Sequence, residues 1–103
     1  MYYNIGVLYS QREDYENAIP NFQKAVELDD TDIDAIYNLG LVYFNMEKYE
    51  AAQPYLERIV QLDPMHSDAW EALGIVYFKV GEEDKGKEAL EKAESLKGGD
   101  DQE

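Results

Sequence analysis

Cysteine is absent from the 103 residues, which excludes disulfide staples and thiolate metal sites and leaves the redox compartment open. Basic residues are scarce: 9 Lys and Arg stand against 23 Asp and Glu, a net charge of −14. A field of that sign repels nucleic-acid phosphates and anionic membrane surfaces, so neither is expected as a partner; basic or apolar partners are favoured. The same acidity would also keep an apolar-rich chain soluble, or reflect a high-salt source. No basic-then-apolar leader and no long apolar run occurs, so no signal peptide or membrane span is expected in this chain, and the cytoplasm is the default location. Strict polar–apolar alternation and hairpin turn signals are missing too, which argues against strands.

What the chain does have is repetition. The phrases Tyr3–Ser10 (YNIGVLYS), Tyr37–Phe44 (YNLGLVYF) and Glu71–Phe78 (EALGIVYF) align on Gly6, Gly40 and Gly74, 34 residues apart each time. Tyr9, Tyr43 and Tyr77 keep the register, as do Phe22, Leu56 and Leu90, and then Leu28, Leu62 and Leu96. A period of this size reads as a repeat architecture in which each unit covers its neighbour's apolar face. Each unit carries two segments of helical periodicity, such as Ile36, Leu39, Val42 and Tyr43, then Ala52, Leu56, Ile59, Val60 and Leu62. Short polar turns separate them, and Asp, Thr, Ser and Pro between units stop one helix and cap the next, with Thr31 or Asp32 as the cap before the second unit. A helix glycine costs about 1 kcal/mol relative to alanine, so its recurrence points to close helix approach, with Gly40 expected against small residues such as Ala52. Pro20 and Pro54 sit early in second helices, where proline costs least. The third unit's second helix, with Glu83 for Tyr and Gly86 for Ala, reads as a polar, weakly packed end or as one awaiting a further helix.

Catalytic chemistry finds no footing. His66 is the single histidine and is expected as an exposed loop residue; the adjacent Ser67 has neither nucleophile–base geometry nor a nucleophile elbow. The glycines lie inside helices and build no phosphate loop. Asp30, Asp32 and Asp34 imitate the opening of a calcium loop, but Ala35 stands where its glycine belongs and Leu41 where its bidentate Glu belongs. No catalytic, cofactor-binding or metal site is expected, and an enzymatic role would need a site outside this chain.

The period and the motif together resemble the tetratricopeptide repeat. The middle copy carries it on Ile36, Leu39, Gly40, Tyr43, Tyr49, Ala52, Leu56, Ile59 and Pro64. The third carries it on Trp70, Leu73, Gly74, Tyr77, Leu90 and Ala93, and the first on Tyr2, Ile5, Gly6, Tyr9, Tyr15, Ala18, Phe22 and Ala25. The resemblance implies an all-α fold, a right-handed α-α superhelix of three helix-turn-helix repeats with about six helices. The repeats would span about 1–32 (short at its start, as in a fragment of a longer protein), 33–66 and 67–97, followed by a disordered acidic tail at 98–103.

In that family the first helices line a concave groove whose free face contacts ligands. Carried over position by position, that face holds Tyr3, Val7, Ser10 and Gln11, then Asp34, Tyr37, Leu41, Phe44 and Asn45, then Asp68, Glu71, Ile75, Phe78 and Lys79. The expected partner is an apolar or amphipathic protein or peptide segment, any basic residues of which would meet Asp34, Asp68 and Glu71. Some family members grip acidic chaperone C-termini through Lys, Arg and Asn. The corresponding places here hold Tyr3, Val7, Asp68 and Ala72, with only Asn38 retained, so no such binding is expected. The other use open to such a chain is homo-oligomerisation through the exposed ends of the solenoid.

Overall fold

The computed structural model describes residues 1–98. They form six α-helices and no strand: α1 (Tyr2–Gln11), α2 (Tyr15–Leu28), α3 (Ile33–Asn45), α4 (Tyr49–Leu62), α5 (Ser67–Lys79) and α6 (Glu83–Gly98). Consecutive helices pair as hairpins α1–α2, α3–α4 and α5–α6, and each hairpin packs on the next. The array is elongated, 42 × 29 × 23 Å with a radius of gyration of 14.0 Å, against about 13 Å for a compact domain of about 100 residues. α6 runs through Gly98, the first residue of the stretch expected to be disordered; 99–103 lie outside the described residues.

The turn inside each hairpin is set by backbone chemistry that repeats with the register. Glu13, Glu47 and Gly81 all adopt positive φ, at 59°, 62° and 93°. Each is followed by an N–H that reaches back five residues: Asp14 to Tyr9, Lys48 to Tyr43 and Glu82 to Tyr77, at 2.8–2.9 Å. The residue at positive φ itself donates to the carbonyl three back, at Ser10, Phe44 and Phe78. This doubly bonded ending satisfies carbonyls that a helix terminus leaves open, and it needs a left-handed residue that only glycine adopts without strain. Between hairpins, Asp29 accepts from the Thr31 amide and hydroxyl, and Asp63 accepts from the Met65 amide. The Thr31 bonds hold the Asp29 carboxyl below the usual carboxylate range. Asp32 caps α3 by accepting from Ala35 N at 3.3 Å, so of the two residues expected as the cap it is the aspartate that acts.

The core belongs to junctions rather than to units. Ala18 and Phe22 of α2 bury with Leu39 and Val42 of α3. Ala52 and Leu56 of α4 bury with Ala72, Leu73 and Val76 of α5, and Ile36 and Ile59 close on Ala69. Phe22, Leu39, Leu56 and Ile59 are fully buried, each stabilising the fold by about 1.5–3 kcal/mol relative to exposure. α1 has only Gly6 buried, because the side it turns away from α3 has no neighbour among the described residues.

Two packing expectations are corrected. Gly40 faces not Ala52 but the large residues one turn further on: a Cβ there would lie 3.3 Å from Tyr55 Cβ and 3.4 Å from Leu56 Cδ2. Gly6 likewise accepts the Phe22 ring and Gly74 the Leu90 side chain. The glycine is therefore a hole for the bulky member of the partner helix. Nor is α6 weakly packed on α5. A Cβ at Gly86 would stand 3.1 Å from the Gly74 carbonyl and 2.8 Å from the Phe78 ring, so glycine in place of alanine lets these two helices approach closely. Pro20 and Pro54 lie inside α2 and α4, each at the sixth position and exposed, beyond the first turn where proline costs least.

Candidate functional site

The first helices α1, α3 and α5 lie side by side, with α3 touching both others. Three stripes of the expected face cross them at one register: Val7, Leu41 and Ile75 in the middle, Gln11, Asn45 and Lys79 toward the helix C-termini, Asp34 and Asp68 at the N-terminal edge. Leu41 and Ile75 are half-buried and belong to none of the three core clusters. Gln11, Asn45, Asp34 and Asp68 are exposed.

The aromatic members are occupied with packing. Tyr3 and Val7 lie against the Phe22 cluster, with the Tyr3 and Phe22 rings 5.9 Å apart. Tyr37 packs on two clusters and meets the His66 ring at 4.7 Å. Phe44 sets its edge against Tyr49 at 5.6 Å and 87°, and Lys79 holds its ammonium 5.7 Å from the same Tyr49 ring. Phe78 remains 37% exposed, while Ser10 is half-buried. Burial raises the Tyr37 hydroxyl above its usual pKa, reinforced by Asp68 and Glu71 and opposed by Lys97.

Electrostatics at the acidic edge differ from the bare sequence. Lys97, at the end of α6, reaches Glu71 at 2.6 Å and Asp68 at 3.3 Å, and those bonds raise its own pKa. Asp34 forms no ion pair among the described residues. Asn38 donates its amide to the Tyr3 hydroxyl at 3.2 Å, across the junction to α1, and to the Asp34 carbonyl of its own helix at 2.8 Å, so it is engaged within the array.

Two contributors lay outside sequence reasoning. His66 is not a bare loop residue: its Nδ1 accepts from Ala69 N at 3.0 Å and caps α5. Its register partner Asp32, a common cap, was the signal. Lys97 lies 26 residues from Glu71, and only the antiparallel hairpin brings them together. Of Asp30, Asp32 and Asp34 it is Asp32 that is engaged as the cap of α3, and no group of three or more His, Asp or Glu among the described residues is placed to hold a metal. No helix among the described residues is long and apolar enough to cross a membrane.

Three helical hairpins at a 34-residue period, with core formed between them and a glycine seat for each partner helix, define a tetratricopeptide-repeat domain. The family model described as anaphase-promoting complex, cyclosome, subunit 3 (ANAPC3) matches residues 11–93, and the chain belongs to that family. Among solved structures, the crystal structure of MamA aligns at 26% identity and TM-score 0.89, covering 99% of this chain and 60% of that one. YrrB, described as a TPR protein with an unusual peptide-binding site, aligns at 28% and 0.85, covering 92% and 49%. The second TPR of Spaghetti (RPAP3), bound to the HSP90 peptide SRMEEVD, shares the fold at 22% and 0.87, covering 92% and 88%. The chain thus spans about half to three-fifths of the length of MamA and YrrB. No curated protein matches it.

Proposed function

We propose that this chain is a non-catalytic protein-interaction scaffold whose first helices take an apolar or amphipathic peptide segment carrying basic residues. One observation carries the reading: Leu41 and Ile75 repeat at one register on adjacent helices, half-exposed and outside every core cluster. Contiguous apolar surface of this kind marks interaction sites. The exposed carboxylate of Asp34 beside that row favours a basic residue in the ligand, and Lys97 tempers the same preference at Asp68 and Glu71. YrrB and Spaghetti, which share the fold, are described with a peptide-binding site and with a bound peptide. The acidic Spaghetti ligand is not expected here, since Tyr3, Val7, Asp68 and Ala72 stand where a cationic clamp would be and Asn38 is bonded internally.

Tyr37 and Phe44 are poor probes because their removal also opens the core. Leu41→Asp with Ile75→Asp tests the row alone. A displayed library of random dodecapeptides selected on the wild-type chain should enrich sequences combining apolar residues with Lys or Arg. The double variant should lose them while keeping its helical circular dichroism. Selection of acidic peptides, or equal binding by the double variant, would overturn the reading.

A further inference from the structure

The second helices α2, α4 and α6 do not contact one another, whereas α3 contacts both α2 and α4, and α5 both α4 and α6. Each pair of second helices is therefore separated by a gap floored by a first helix. Over α3 that gap holds the Tyr55 ring, which stacks on Tyr43 at 5.9 Å and 13° and packs on two core clusters. One repeat on, Ala89 stands at the Tyr55 position and Tyr77 at that of Tyr43. Trp70, at the Ile36 position, lines the space without closing it. An open cleft of about 420 Å³ remains, bordered by Trp70, Tyr77, Lys85, Glu88, Ala89 and Lys92. It belongs to the junction between the second and third hairpins, since Trp70 and Tyr77 both pack on the cluster that holds Ala52 and Leu56 of α4.

The walls of this cleft are pinned and its rim is cationic. The Trp70 indole donates to the Pro64 carbonyl at 2.7 Å, and the Tyr77 hydroxyl to Glu57 at 2.7 Å. Each ring is thus held by its polar end while its body borders the cleft, an arrangement that spares the ordering cost of binding. Lys85 and Lys92 stand one turn to either side of Ala89 on α6. Lys85 lies over the Tyr77 ring at 5.8 Å and pairs with Glu82 at 3.1 Å. Lys92 forms no ion pair among the described residues. Glu88 is the single carboxylate bordering the cleft among the described residues, so this spot is locally cationic in a chain of net charge −14.

We infer that this cleft takes an aromatic side chain of a partner protein segment, with acidic residues to either side of it. The ring lies on Tyr77 where Tyr55 lies on Tyr43 one repeat earlier, and the flanking carboxylates meet Lys85 and Lys92. An aromatic ring fills the space that alanine in the tyrosine position leaves open, and stacked rings attract beyond the area they bury. The two lysines lie seven residues apart along α6, about 10 Å. A free aromatic acid with one carboxylate cannot reach both, whereas a peptide can. The preference is opposite in charge to that of the Val7–Leu41–Ile75 row, and Trp70 and Tyr77 lie on the other face of α5 from Ile75. The two surfaces therefore stand or fall separately.

Trp70 is the single tryptophan, so its fluorescence reports entry into the cleft directly. The probe is a short blocked peptide with Phe at its centre, an acidic residue two places to each side and alanine elsewhere. Titrated to about 1 mM, it should shift the Trp70 emission and saturate. Ala89→Tyr, which copies the second repeat into the third, should abolish that response with circular dichroism unchanged. Lys85→Glu with Lys92→Glu alters only exposed positions and should weaken binding about tenfold, so the cleft is tested even if Ala89→Tyr unfolds the chain. The same peptide with lysine for its acidic residues, and free phenylacetate, should leave the emission unchanged. No response to the acidic peptide, an undiminished one in the charge-reversed protein, or an equal one to the lysine peptide or to phenylacetate overturns the inference.

Discussion

Gly40→Ala and Gly74→Ala are the same change at the same register position, yet they should move stability in opposite directions. Alanine in a helix interior gains about 0.8–1 kcal/mol over glycine. At position 40 the new methyl meets Tyr55 Cβ at 3.3 Å and the end of Leu56 at 3.4 Å. Those atoms need yield only a few tenths of an ångström, and the propensity gain offsets the crowding, leaving a change between zero and about 0.5 kcal/mol stabilising. At position 74 the methyl would lie 2.7 Å from the branched Cγ of Leu90 and 3.1 Å from its backbone N. Neither atom is the free end of a side chain, so α6 itself must shift, and Gly86 ties α6 to the Gly74 carbonyl. A clash that reaches the backbone falls in the upper part of the range for overpacking, about 2–3 kcal/mol, which after the propensity gain leaves a loss of about 1–2 kcal/mol. Urea denaturation followed by circular dichroism reads both. With a slope of about 1.5 kcal/mol/M, the two midpoints should separate by about 1 M with the slope unchanged. A Gly74→Ala protein as stable as wild type, or a Gly40→Ala protein less stable than it, would show that the glycines do not seat Leu56 and Leu90.

Three further outcomes follow from local geometry. Glu13→Gly and Glu47→Gly should each stabilise by about 1 kcal/mol in thermal melts, since both glutamates hold a positive φ that glycine adopts at Gly81 without strain; a loss of stability would mean the turn is held by their side chains. His66→Ala should cost about 1 kcal/mol in urea melts through the lost cap on Ala69 N, and His66→Asn should recover most of it. Burial raises the Tyr37, Tyr55 and Tyr77 hydroxyls, most of all Tyr77, which also donates to Glu57. An unfolded tyrosine releases its proton first, near pH 10, so above that pH the unfolded chain binds fewer protons and stability falls as pH rises. Absorbance titration of the nine tyrosines should show a late-ionising subset, and Tyr77→Phe should shrink it; a single titration at the exposed-tyrosine position would contradict the burial.

The hairpins, the junction core and the register were legible because recurrence does what an alignment of relatives would do. A residue type that returns every 34 positions answers to a constraint that also returns, as with Tyr9, Tyr43 and Tyr77, whose carbonyls all receive the turn's closing bond. Features realised once were harder to see. Lys97 reaches Asp68 and Glu71 only through the antiparallel path of α6. The two-residue conflict at Gly40 was misjudged because an apolar seat can be filled either by a small residue facing it or by a large one inserting into it. Periodicity places both Ala52 and Leu56 on the inner side of α4, and only the helix offset decides between them.

The candidate site illustrates the sharper limit. A first helix in such an array has one side toward its own second helix, one toward each neighbouring first helix and one toward open space, so its apolar residues outnumber those a ligand can touch. Comparing repeats separates these uses. Tyr3 and Tyr37 become Glu71 in the last repeat, where no further first helix lies beside α5 among the described residues and Lys97 approaches instead. Tyr3 accepts from Asn38 and Tyr37 packs on His66, each across a junction between hairpins, which marks Tyr3 and Tyr37 as junction residues. Val7, Leu41 and Ile75 are aliphatic in all three repeats, and of the three only Val7 lies against a core cluster. Leu41 and Ile75 take no part in any core cluster, which is the ground on which that row is proposed as the ligand surface.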